Sequence, residues 1–108
     1  MKNFCFEDMQ KIQKELQEKY KDKWPTLKPE VAREKLLWLM IELGEVADII
    51  KKQGDKNIME NKETRQHFIE EMCDVMMYFN DVMICYDISP EELSEIYIDK
   101  HNKNMKRW

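Results

Sequence analysis

The chain predicts an all-α fold: an antiparallel bundle of about four helices, completed by oligomerisation. Three observations lead there. Only two Gly and three Pro occur in 108 residues, no Asn-Gly or Asp-Gly hairpin turn is present, and apolar residues recur at spacings of three and four. A single domain, residues 1–108, follows from the length, which supports a core but leaves room for burial between subunits.

The elements follow in order. A first helix is expected over 5–22, with Met9, Ile12 and Leu16 on one stripe, ending before "DKWPTLKP". A second is expected from about 29 to 53, with Pro29 in the first turn and Gly54 just past the end. "KKQGDKNIMENKE" then reads as a mobile loop, and "KWPTLKP" as a stiffer connector. The third helix is expected over 62–87, beginning near Asn61. The fourth opens on "SPEE", where Ser89 caps, Pro90 takes the first turn and Glu92 completes a capping box.

Composition excludes several classes of function. The longest apolar run, "LLWLMI" at 36–41, is far too short to cross a bilayer, so no membrane span is expected. "MKNFCFEDMQ" lacks the apolar core and cleavage site of a secretory signal, which makes the cytoplasm the expected location. Cys5, Cys73 and Cys85 form no CxxC pair and read as buried thiols, neither a disulfide framework nor a zinc site. A net charge of -4 argues against general nucleic-acid binding, although the tail "KHNKNMKRW" gathers four Lys/Arg and a His.

Chemistry concentrates in two helical segments. In "IELGEVADIIKK", Glu42 and Glu45 lie about 60° apart and one turn apart on a helix, so both carboxylates project to one side. Trp38 and Ile49 flank them on nearly the same side. Covering that side dehydrates two carboxylates at a cost of several kcal/mol each unless something compensates, and a cation does so. In "EEMCDVMMY", Glu71 and Asp74 repeat the spacing, with His67 and Tyr78 one turn away from Glu71 and Asp74 on that side. Stacking the two segments gathers four carboxylates, an oxygen-only set suited to Mg²⁺ or Mn²⁺ rather than zinc. Taken singly, each ExxE or ExxD also fits an ordinary solvated helix face.

The ordered set "ELGE", a variable spacer, "EEMCD" running into "VMMYF", a capped "ISPEEL" and "KHNKNMKRW" resembles the MazG-type nucleotide pyrophosphohydrolases of the all-α NTP pyrophosphohydrolase superfamily. The resemblance covers roughly Trp24 to Trp108. Glu42, Glu45, Glu71 and Asp74 match the family's ExxE and ExxD, separated by residues 46–70. It implies Mg²⁺-dependent hydrolysis of a nucleoside triphosphate to the monophosphate and pyrophosphate, with these four residues as metal ligands and catalytic groups.

The resemblance also implies that Lys100, Asn104 and Arg107 hold phosphate oxygens, with Lys103 a weaker candidate; the competing reading is that cations suit a helix C-terminus. Trp24, Trp38 and Tyr78 are the candidates for contacting the base, with burial in the core as the competing reading of Trp38. Related dCTP pyrophosphatases use the Tyr78 position near the nucleotide and carry a connector histidine that "PTLKP" lacks. His67 reads as an exposed helix histidine, with support of Glu71 as the competing reading; Asp48 and Asp81 extend the two acidic sides and read as solvated surface, with assistance to the metals as the competing reading. Broad apolar stripes, Leu36, Leu39, Met40, Leu43, Val46, Ala47 and Ile50 on the second helix and Phe68, Ile69, Met72, Met76, Phe79 and Met83 on the third, predict a homodimer or homotetramer, as in related proteins. The alternative function is a non-catalytic helical interaction module that retains the acidic motif.

Overall fold

A computed structural model describes residues 3–108; Met1 and Lys2, at the head of the stretch read above for a secretory signal, lie outside it. The described residues form four helices and no strand: α1 (Phe6–Lys19), α2 (Pro29–Glu60), α3 (Lys62–Cys85) and α4 (Pro90–Arg107). None of these helices is long and apolar enough to cross a membrane.

The helix ends carry most of the chemistry expected of them; of the Ser89–Glu92 capping box, the Ser89 half is present among the described residues. Pro29 and Pro90 sit in first turns, where the missing N–H costs nothing. Ser89 accepts from the Glu92 N–H at 3.1 Å, and Asn61 accepts from the Thr64 N–H at 3.0 Å. Helix α3 closes with Asp87 in the left-handed region (φ 54°). The Asp87 N–H donates to the Ile84 carbonyl and the Ile88 N–H to that of Met83, satisfying two C-terminal acceptors.

The segment 51–63 is not the expected loop. Helix α2 breaks at Gly54 (φ 81°, ψ 161°), where glycine tolerates a conformation costly to other residues, and helix resumes at once to Glu60. One residue, Asn61, serves as C-cap of α2 and N-cap of α3. Such a tight junction folds α3 back along α2. The pairing is antiparallel: Glu42 meets Glu71, Trp38 meets Tyr78, and Ala32 packs with Cys85.

Helix α1 packs on α3, and α4 touches α1. The buried face of α1 is not the apolar stripe. Gln10 and Gln13 are buried while Ile12 is exposed, and Gln10 Nε2 donates to the Ile88 carbonyl at 3.0 Å. Of the three cysteines expected to be buried, only Cys85 is, and burial pushes its thiol up; Cys5 and Cys73 are exposed.

A single chain leaves much apolar surface uncovered. Leu36, Leu37, Met40, Ile41, Leu43 and Ile50 of α2 are exposed, as are Ile69, Met72 and Met76 of α3. The accessible surface is 8816 Å² for 13.3 kDa, against roughly 6,500 Å² for a monomer that closes on itself. The radius of gyration, 16.3 Å, likewise exceeds the roughly 13 Å of a compact chain of this length.

Candidate functional site

The antiparallel pairing of α2 and α3 determines which side chains meet. Stepping back along α2 from Glu45 through Glu42 and Trp38 to Lys35 is stepping forward along α3 from Glu71 through Asp74 and Tyr78 to Asp81. Each step is about one turn, so both rows stay in register along one cleft.

At one end lie the acidic residues. Glu42, Glu45 and Glu71 each offer a carboxylate oxygen within 4.8 Å of the other two. Glu42 Oε2 and Glu71 Oε2 are buried without a hydrogen-bond partner, although Glu45 is exposed. The Glu42 carboxyl is pushed up to about 7, first by burial, then by its contacts with Glu71 and Glu45 and by the charges of Glu45 and Asp74. Asp74 lies close enough to repel Glu42 and lines the same cleft, but stands outside the tight group of three. Three of the four sequence-selected carboxylates therefore cluster, and the fourth, Asp74, lines the same cleft.

Carboxylates packed this way resist ionising together, and two oxygens have lost water without gaining a donor. A divalent cation answers both demands. The donor set, oxygen only, fits Mg²⁺ or Mn²⁺. His67 does not alter this, since Nδ1 stands 4.0 Å from Glu71 Oε1, beyond hydrogen-bonding range, and its side chain is exposed as expected. Asp48 pairs with Lys52 at 2.9 Å on the surface, also as expected.

Beyond the acidic end the cleft, about 420 Å³, is lined by Trp24 and Pro25 from the connector, Gln13, Leu16 and Gln17 from α1, Glu34, Lys35 and Glu42 from α2, and Asp74, Met77, Tyr78 and Asp81 from α3. Trp24 and Tyr78 thus both line this cleft. Burial raises the Tyr78 phenol, reinforced by the negative charges of Glu42, Asp81, Asp74 and Glu45, and Lys35 Nζ lies 5.9 Å from its ring centroid. Trp38 is not core: it is 44% exposed and stacks on Tyr78 at 6.5 Å and 14°, supporting the cleft residue without lining the cleft itself.

Two further outcomes depart from the sequence reading. Lys100, Asn104 and Arg107 do not line the cleft within one chain, because among the described residues α4 packs against α1 alone; Lys100 and Arg107 are exposed and Asn104 half-buried. Asp81, expected on the solvated surface, is 3% exposed and accepts a 2.8 Å hydrogen bond at Oδ1 from Gln13 Nε2. Its covering helix, α1, is remote in sequence, which is why local periodicity missed it; Gln13, Gln17 and Lys35 were missed with it. The only sequence clue was that Asp81 falls two turns after Asp74, on the same face of α3. Compared with protein-family models, with curated proteins and with solved structures, the chain matches none.

Proposed function

We propose that this protein is a Mg²⁺-dependent nucleoside triphosphate pyrophosphohydrolase, converting a nucleoside or deoxynucleoside triphosphate to the monophosphate and pyrophosphate. The observation that carries the reading is the pair of buried, partnerless oxygens on Glu42 and Glu71 inside a cluster of three glutamates, next to a cleft lined by Trp24 and Tyr78. Glu42, Glu45 and Glu71, with Asp74 beside them, would hold the metal. When bound, Mg²⁺ offsets triphosphate charge and lowers the pKa of water.

The chain's own residues supply positioning. Trp24 and Tyr78 offer aromatic surface to the base, and the acidic end determines where the triphosphate must lie. A glutamate of the α2 pair orients the attacking water and takes its proton. Water oxygen bonds to phosphorus, the α–β anhydride bond breaks in line, and pyrophosphate departs with the electron pair.

The reading includes a homodimer or homotetramer. The surface excess, the bare α2 face and an apolar groove of about 310 Å³ between α1 and α3, lined by Phe4, Met9, Ile12, Ile69, Met72 and Met76, all support it. Lys100, Asn104 and Arg107 would then contact phosphate oxygens of a neighbouring subunit's substrate. The same bare surface favours the second reading, a helical module that binds another protein and performs no chemistry.

Pyrophosphate release from a panel of (d)NTPs with Mg²⁺ separates the two. The hydrolase reading expects turnover that drops by about 10²-fold or more in Glu42→Gln and Asp74→Asn. Absence of turnover with every nucleotide favours the interaction module.

A further inference from the structure

Asp81 is a buried acid that the hydrolytic chemistry does not use. It lies two turns beyond Asp74 on α3, about 10 Å along the axis, away from the cluster of Glu42, Glu45 and Glu71; Glu34 also lines the cleft. That separation is of the order between the sugar-proximal phosphate of a nucleotide and the far edge of its base. Trp24 and Tyr78 line the same cleft.

The chemistry of Asp81 is constrained. It is 3% exposed, yet it lines the cleft, and the hydrogen bond from Gln13 Nε2 is the one it makes among the described residues. A carboxylate has about four acceptor sites, so acceptor capacity remains for a ligand. Gln13 is itself 6% exposed, which fixes the carboxylate between α1 and α3. Burial pushes the Asp81 carboxyl above its ordinary range, opposed by the hydrogen bond from Gln13 and the charge of Lys35, another cleft residue, both of which favour the ionised, acceptor-only form.

We infer that Asp81, held by Gln13, is a specificity-determining residue that selects bases carrying an amino group, namely cytosine, adenine and guanine, over uracil and thymine. The inference rests on the nucleotide-hydrolase reading. Cytosine and adenine present exocyclic N–H donors, and guanine presents an N–H beside its amino group. Uracil and thymine place their single N–H between two carbonyl oxygens, so an acceptor-only carboxylate gains one donor and meets repulsion on either side. A buried polar group left unpaired by the wrong substrate is a strong discriminator.

The test compares kcat/KM for substrate pairs of matched size, CTP against UTP and ATP against ITP, in both ribo and deoxy forms, with the wild type and Asp81→Asn. The wild type is expected to favour the amino-bearing member of each pair by about tenfold or more. Asp81→Asn, whose amide both donates and accepts, is expected to bring CTP and UTP within about threefold while UTP turnover is retained. Equal rates for both members in the wild type overturn the inference, as does an equal loss for all substrates in Asp81→Asn, which marks a structural role. Calorimetric binding of non-hydrolysable CTP and UTP analogues separates the two claims: selective binding without turnover keeps base selection and removes the hydrolase, and no binding of either removes both.

Discussion

Glu42 carries the carboxyl whose charge the fold opposes most clearly. Its carboxyl sits at about 7 instead of an ordinary 4.5 because burial and three neighbouring acids oppose its charge. Between those two values the folded chain binds more protons than the unfolded one. Stability therefore is highest at the acid end of that window and falls as pH rises through about 7. A metal-free melting series from pH 5 to pH 8 is expected to show this fall, and Glu42→Gln to flatten it. Added Mg²⁺ should raise the melting temperature at pH 8 far more than at pH 5, since only the ionised cluster binds a cation; an equal response at both would remove the metal site. The residue scale also shows where local sequence is silent. Glu42 and Glu45 announced themselves by interrupting an apolar run, whereas Asp81 looked like any polar position until α1 covered it.

At the scale of elements, the caps were the most legible feature and the α2–α3 junction the least. Ser89 and Pro90 marked the start of α4 correctly because an N-cap is a contact within one turn. Gly54 was also read correctly as a break. Its consequence was misjudged: a single residue at positive φ re-aims the chain without ending helix formation, and the polar residues after it are adequate helix formers. Asp87 offers an element-level test. It holds a left-handed conformation at the α3 C-terminus, where glycine carries no Cβ penalty. Asp87→Gly is expected to stabilise the chain by up to about 1 kcal/mol in a urea titration, leaving turnover unchanged.

At the scale of the molecule, a chain that exposes 8816 Å² with a radius of gyration of 16.3 Å has more surface than one subunit can hide. The excess, roughly 2,300 Å² over a compact monomer, is in the range buried by stable oligomers. Analytical ultracentrifugation is expected to give a multiple of 13.3 kDa. Met40→Glu, on the exposed α2 face and away from Glu42, is expected to lower that mass; a wild type at 13.3 kDa would instead leave the face to another partner.

The division between sequence and tertiary structure follows the range of the forces involved. Helix identity, caps, the Gly54 break and the two carboxylate pairs depend on spacings of three to four residues, and those were fixed by the chain locally. Which faces meet depends on contacts between residues far apart in sequence. Tertiary structure alone decided that Glu71 closes on Glu42, that Trp38 supports Tyr78, that α1 docks through glutamines and buries Asp81, and that α4 lies away from the cleft of its own chain. Hydropathy cannot anticipate a polar side chain that is buried only because a remote amide satisfies it.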